Sequence, residues 1–328
     1  MRVTIYSTHD FEKDTLIAAN NNRHELKLVK SSLNIDTTAL ASRSEAVCIF
    51  VNDDASPPVL EKLYEIGVRS ILLRSAGFNN VDVNKAKQLG IRIGRVPAYS
   101  PHAVAEHAVA LMLALNRKLV RANNRVHELN FSLNGLTGFD MNGKTVGIVG
   151  TGKIGAVVAK IMYGFSCLIL VCDQIENEDL KNKYGVKYTT PEEIYEKSDI
   201  ITLHVPLLPE TRYLINEKSI GMMKTGVMLI NTSRGGLVNT KDVIKGLKKG
   251  KIGFLGLDVY EEESKLFFED HSEDILQDDM IARLLTFKNV LITSHQGFLT
   301  HTALKNIADT TLHNIDCFVN GTPCENEI

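Results

Sequence analysis

The chain has 328 residues, 44% of them hydrophobic and 23% charged, with a formal net charge of −2. That length is comfortable for two domains, and the composition is that of an ordinary soluble globular protein. The near-neutral charge, without a basic tail or stripe, argues against nucleic acid as the main partner, and no run is apolar and long enough for a bilayer span or a signal peptide.

Strand and helix signals alternate from the first residues. Residues 3–7 read as a strand and 11–21 as a helix. Residues 46–51 form the next strand, and 57–66 a helix with proline near its start. Residues 70–74, 83–89 and 91–96 continue as strand, helix and strand. This rhythm predicts a parallel sheet with helices on both faces. The segment Pro97-Ala-Tyr-Ser-Pro101 then marks a boundary, with Ser100 able to cap and Pro101 suited to a first helical turn. Residues 103–117 follow as a long helix, apolar on more than one face and so expected to be well buried. A second α/β rhythm runs from Lys144 to about Thr293, and residues 302–319 are again helical. The terminal helix has few places to pack except on the N-terminal half, so the second domain is expected to be inserted into the first. The segment 261–279 carries nine acids against one lysine and reads as a solvated loop with a short helix.

Five cysteines (Cys48, Cys167, Cys172, Cys317, Cys324) show no C-x-x-C spacing, which fits reduced thiols in a cytoplasmic protein. No His/Cys/carboxylate cluster shows ligand spacing, so no metal site is expected.

The buried-strand pattern Thr145-Val-Gly-Ile-Val149 leads into Gly150-Thr-Gly152-Lys153-Ile154-Gly155 and then a helical run. In that context G-x-G-x-x-G is a dinucleotide signature. Gly150 permits the tight turn, Gly152 leaves room for the pyrophosphate, and Gly155 lets the helix pack close. The next strand, 168–172, ends in Asp173. A carboxylate there accepts hydrogen bonds from ribose hydroxyls and repels a 2′-phosphate, which predicts NAD over NADP.

Three further residues each follow a short aliphatic or β-branched run: Arg234 in Asn231-Thr-Ser-Arg-Gly-Gly236, Glu263 in Asp258-Val-Tyr-Glu-Glu-Glu263, and His295 in Ser294-His-Gln-Gly-Phe298. Loops beyond the carboxyl ends of parallel strands form the ligand crevice of an open α/β sheet. A guanidinium can anchor a carboxylate with its planar fork of donors. An imidazole can give or take a proton near neutrality, and a neighbouring carboxylate favours its charged form and orients the ring. Glu263 stands among three consecutive glutamates, and the residues alone do not select it.

These segments, in this order, resemble the D-isomer-specific 2-hydroxyacid dehydrogenases over essentially the whole chain. Arg74-Ser-Ala-Gly-Phe-Asn-Asn-Val-Asp82, Val96-Pro-Ala-Tyr99, Phe131-Ser-Leu-Asn-Gly-Leu-Thr-Gly138, Leu266-Phe-Phe-Glu-Asp270 and His295-Gln-Gly-Phe-Leu-Thr300 are similar to the bacterial fermentative D-lactate dehydrogenases within that family. The resemblance implies two Rossmann-like domains: a flavodoxin-like substrate domain of residues 1–100 and 300–328, and an inserted NAD-binding domain of residues 101–299. It implies Arg234 as the substrate-binding arginine, His295 as the acid/base and Glu263 as its partner. Gly77, Tyr99 and Phe298 match substrate-pocket positions. Asp258 matches a residue near the nicotinamide, and His204-Val205-Pro206 and Thr232-Ser233 match cofactor-contacting loops. The implied activity is NADH-dependent reduction of pyruvate to D-lactate by a homodimer or homotetramer. Domain closure is expected, with hinges near 97–101 and 297–300. The competing expectations are a hydroxypyruvate or glyoxylate reductase of the same family, and an NAD-sensing corepressor. His107 is expected to be a satisfied core or interface histidine.

Overall fold

The computed structural model, which describes residues 1–328 apart from the side chain of Lys265, is an alternation of strands and helices throughout. The chain divides into two units, residues 1–100 with 299–328, and residues 101–298.

The first unit is built on β1 (Arg2–Ile5), β2 (Glu25–Leu28), β3 (Ala46–Ile49), β4 (Ser70–Leu73) and β5 (Arg92–Gly94), all parallel, in the order β2-β1-β3-β4-β5. That is the flavodoxin-like doubly wound order. Residues of β3 and β4 read as continuous apolar runs because helices cover both faces. The helix His301–Asn320 supplies part of that cover. Its Ala308, Leu312, Ile315 and Phe318 pack with Val3, Ile5, Cys48 and Leu72. The edge strand β2 is absent from the sequence-based expectation. It alternates Glu-Leu-Lys-Leu and is only partly buried, so its apolar signal is weak.

The second unit carries β6 (Thr145–Val149), β7 (Leu168–Cys172), β8 (Lys187–Tyr188), β9 (Ile200–Leu203), β10 (Val227–Asn231), β11 (Ile252–Leu257) and β12 (Val290–Ile292). Their order is β12-β11-β10-β9-β6-β7-β8, again all parallel. The chain winds outward from β6 in one direction and then from β9 in the other, so the switch point lies between those two strands, where open α/β sheets form their crevice. The helix Pro101–Asn116 lies across β10 and β11, with Ala105, Ala108, Leu111 and Met112 almost fully buried. Glycine makes that approach possible: a Cβ on Gly256 would meet Ile230 at 2.7 Å and Leu115 at 3.1 Å.

The acidic segment is anchored rather than wholly solvated. Phe267 packs with Tyr260 and Ile281, and the Tyr260 hydroxyl donates to Asp278 at 2.7 Å. Among the described residues no helix is long and apolar enough to cross a membrane.

Candidate active site

Because β10, β11 and β12 are adjacent and parallel, the loops after them emerge at one edge of the sheet. Those loops carry Arg234, Glu263 and His295. The first is shaped by Asn231, whose side chain accepts from the Ser233 amide at 3.1 Å and donates to the Arg234 carbonyl at 2.9 Å. Gly235 lets it lie against the second loop, since a Cβ there would stand 2.1 Å from the Tyr260 carbonyl carbon. The Arg234 guanidinium donates to the Ser233 carbonyl at 2.7 Å and pairs with no carboxylate among the described residues. Its remaining donors are therefore available to an anion.

Glu263 and His295 meet directly. Glu263 Oε1 lies 2.8 Å from His295 Nδ1, and Oε2 accepts from the Tyr260 amide at 2.8 Å. A carboxylate can only accept, so Nδ1 carries the proton, and Nε2 is the position that exchanges one. Nε2 has no hydrogen-bond partner among the described residues. The neighbouring glutamates are otherwise engaged. Glu261 accepts from the Tyr213 hydroxyl and from Thr240 Oγ1, and Glu262 is exposed. The fold thus selects one acid from three that the sequence leaves equivalent.

Asp258 is 1% exposed and holds the His295 turn. Its carboxylate accepts from Thr293 Oγ1 at 2.6 Å, the Gln296 amide at 2.9 Å and the Gly297 amide at 2.8 Å, with His107 Nε2 at 3.3 Å. Burial works to raise this carboxyl, but the hydrogen bonds from His107 and Thr293 outweigh it and hold it below the ordinary aspartate value. His107, read from sequence as a satisfied core or interface histidine, is one of four donors in this network. It also lies 3.0 Å from Thr293 Oγ1.

The glycine turn follows β6 directly. Gly150 has φ +93°, and a Cβ on it would meet the His204 carbonyl at 2.6 Å. A Cβ on Gly155 would stand 1.9 Å from the Gly150 carbonyl. Around Gly152 there is open space within 4 Å, above the free amides that start the Lys153–Gly164 helix with Lys153 and Ile154. A cavity of about 600 Å³ beside it is lined by Thr151, Gly152, Asp173 and Ile175. Asp173 accepts from the Thr151 amide and hydroxyl on one oxygen and from the Ile175 amide on the other. Burial pulls the Asp173 carboxyl up, and these hydrogen bonds outweigh it, keeping the group ionised. Two buried polar atoms nearby in the fold, His204 Nδ1 and Thr232 Oγ1, have no hydrogen-bond partner among the described residues. Burial lowers the His204 imidazole to about 4, so it is neutral. The loop residues Val205, Pro206 and Ser233 belong to the same strand-end region, and Ser233 Oγ donates to the Leu203 carbonyl at 2.8 Å. An open glycine cradle, an ionised acid and unpaired buried acceptors or donors fit a dinucleotide.

Gly77 and Tyr99 lie in the other unit. Gly77 follows β4 on a loop braced by Ser75 Oγ, which donates to the Gly77 carbonyl at 2.7 Å. The buried Arg74 roots that loop through Glu12 at 3.0 Å and the carbonyls of Tyr6 and Ser7. Tyr99 is half-buried, and its carbonyl accepts from Asn306 at 2.6 Å. Phe298 is buried at the end of the His295 turn. Sequence reasoning missed the roles of His107, Thr293 and Tyr260 in bracing the trio. It also passed over a grouping of His313, Cys317 and Glu325, for which the His-x-x-x-Cys spacing on an amphipathic helix is the only local signal.

A family model described as D-isomer specific 2-hydroxyacid dehydrogenase, NAD binding domain, matches residues 109–297. A 2-hydroxyacid dehydrogenase homolog of Haemophilus influenzae is 51% identical, over 99% of this chain and 98% of its own. The D-lactate dehydrogenase of Escherichia coli is 48% identical, over 100% of both chains. The solved structure of a pyruvate reductase of Chlamydomonas reinhardtii superimposes with a TM-score of 0.94 at 44% identity, covering 99% of this chain and 98% of that one.

Proposed function

The chain belongs to the D-isomer-specific 2-hydroxyacid dehydrogenases, NAD-dependent oxidoreductases, and from that premise we propose that it reduces pyruvate reversibly to D-lactate, with His295 as proton donor. The observation that carries the reading is the His295 Nδ1–Glu263 contact at 2.8 Å, on strand ends adjacent to that of Arg234.

When bound, the nicotinamide supplies a hydride to the 2-keto carbon. The residues of the chain do the rest. The Arg234 fork binds the substrate carboxylate and leans on the carbonyl oxygen. His295 Nε2 delivers the proton that this oxygen needs, and Glu263 holds the ring in the right tautomer. Asp258 keeps the His295 turn in place. Gly150, Gly152 and Gly155 seat the pyrophosphate on the helix amides, and Asp173 takes the ribose hydroxyls. Gly77 and Tyr99 are the substrate-binding candidates of the unit of residues 1–100 and 299–328, and Phe298 is that of residues 101–298, which carry the cofactor site. The physiological role that follows is fermentative NAD regeneration in the cytoplasm, by a homodimer or homotetramer. The names of the Escherichia coli and Chlamydomonas relatives support this substrate over larger 2-keto acids.

The test is loss of NADH absorbance on mixing with pyruvate, followed by a stereospecific assay of the lactate formed. Turnover of hydroxypyruvate or glyoxylate without turnover of pyruvate would overturn the substrate assignment. Absence of any turnover at micromolar enzyme would favour an NAD-sensing binding protein.

A further inference from the structure

The helix His301–Asn320 and the tail behind it bring together three side chains that the proposed reaction does not use. His313 and Cys317 are four residues apart, so they share one face of the helix. Gly321, with φ +64°, ends the helix and lets the chain double back. Thr322 N then donates to the Cys317 carbonyl at 3.0 Å, and Asn326 Nδ2 to Asn314 Oδ1 at 2.9 Å. The returning tail sets Glu325 against the helix. His313 Nε2 lies 3.0 and 3.2 Å from the two Glu325 oxygens and 3.6 Å from Cys317 Sγ. All three ligand atoms fall within 4.8 Å of one another.

We propose that His313, Cys317 and Glu325 form a binding site for a borderline-soft divalent cation, zinc by its ligand chemistry. One imidazole, one thiolate and one carboxylate make a donor set that suits zinc and excludes the hard cations, which take oxygen ligands. The spacing agrees. A tetrahedral centre with Zn–N about 2.1 Å and Zn–S about 2.3 Å sets an N···S edge of roughly 3.6 Å, which is the distance between His313 Nε2 and Cys317 Sγ. The single ring nitrogen faces both other ligands, so once its proton has moved to Nδ1 its lone pair is placed to meet an ion held between them. His313 and Glu325 are exposed, giving the ion a path in, while Cys317 forms the buried floor. The Cys324 thiol donates to Asn314 Oδ1 at 3.3 Å and stays outside the ligand set, leaving the fourth position to water.

Binding releases the Cys317 thiol proton to solvent as the metal–sulfur bond forms, and the His313 proton moves to Nδ1 as Nε2 becomes a ligand. No electron transfer is involved. The ion would tie the tail to the helix beside β5, which the tail already meets through Ile328 N to Ile93 O and the Arg92–Glu327 pair. The cation therefore acts as a clasp on the C-terminus.

Cobalt(II) titrated into the tag-free, chelator-treated full-length protein reads the site directly. The expected result is one ion per chain, with a thiolate-to-cobalt charge-transfer band and the visible bands of four-coordinate cobalt, all abolished by added zinc. His313→Gln and Cys317→Ser should each weaken binding by at least about tenfold or remove the thiolate band, while Cys324→Ser keeps it and metal-free turnover of His313→Gln stays at the wild-type rate. Since His313 is exposed, that variant carries the test even where Cys317→Ser fails to fold. Absence of a thiolate band in the wild-type protein, its survival at undiminished cobalt affinity in His313→Gln, or its loss in Cys324→Ser with retention in Cys317→Ser would each overturn the assignment.

Discussion

Asp258 holds His295 by both its backbone and its side chain. The Asp258 carbonyl accepts the His295 amide at 2.7 Å, and the carboxylate accepts the next two amides, of Gln296 and Gly297. His295 itself has φ +52°, a left-handed conformation that a residue other than glycine adopts at a cost. The turn is kept in that state because Asp258 satisfies its amides and Gly297 leaves no Cβ to strike the carboxylate, which would lie 2.9 Å away. His295 is thus set from behind by Asp258 and from the side by Glu263.

Asp258→Ala should leave four donors without their acceptor and cost roughly 2–4 kcal/mol of stability at neutral pH. The sign of the pH dependence follows from the lowered carboxyl. The unfolded chain binds the proton more readily, so this contribution is present above the unfolded aspartate value of about 3.9 and is lost as pH falls through the lower, folded value. Denaturant unfolding of wild type and variant, at neutral pH and at about pH 3, should show the gap closing. A gap that persists in acid would show that the carboxylate charge does not hold the turn.

His295→Ala should lower kcat by roughly 10²–10⁴, the usual worth of a positioned acid–base group. Glu263→Gln should lower kcat by about tenfold or more with little change in substrate KM, because it acts through the ring. The double variant should then be no slower than His295→Ala alone. Steady-state rates for the four proteins give the cycle, and independent, additive losses would separate Glu263 from the histidine.

Legibility in the sequence followed how local each signal is. Arg234 and His295 stand out because aliphatic runs break at them, and the glycine turn because three glycines at fixed spacing have a local steric reason. The parallel sheets follow from the same alternation. Glu263 could not be told from Glu261 and Glu262, since the partners that separate them, Tyr213, Thr240 and His295, are 21 to 48 positions away. His107 carries no local mark of its tie to Asp258, 151 positions on. The edge strand β2 escaped because partial exposure lets charged residues interrupt its apolar pattern.

The glycine turn separates a packing role from a binding role. Gly155→Ala places a methyl 1.9 Å from the Gly150 carbonyl, which backbone cannot accommodate without moving the helix. It should lower stability by roughly 1–3 kcal/mol and weaken NADH binding with it. A Cβ on Gly152 meets nothing within 4 Å in the protein. Gly152→Ala should therefore change stability by less than about 0.5 kcal/mol, yet weaken NADH binding by about tenfold or more through lost room for the pyrophosphate. Thermal unfolding and a fluorescence titration with NADH measure the two. Undiminished NADH affinity in Gly152→Ala would remove the pyrophosphate from that turn.

Asp173 does two things that one substitution can separate. One oxygen accepts from both the amide and the hydroxyl of Thr151, bracing the glycine turn, and the carboxylate stays ionised beside the cavity at Gly152. Lost bracing affects NADH and NADPH alike, since both carry the same pyrophosphate. Lost charge affects them in opposite directions: NADH forfeits charge-assisted bonds to its ribose hydroxyls, and NADPH is relieved of repulsion at its 2′-phosphate. Asp173→Ala should thus raise the KM for NADH and shift the kcat/KM ratio toward NADPH by roughly ten- to hundredfold, equivalent to about 1.4–2.8 kcal/mol. Rates with each reduced dinucleotide at fixed substrate measure it. An equal rise in both KM values, with the ratio unmoved, would leave Asp173 as a brace for Thr151 and take away its part in choosing the cofactor.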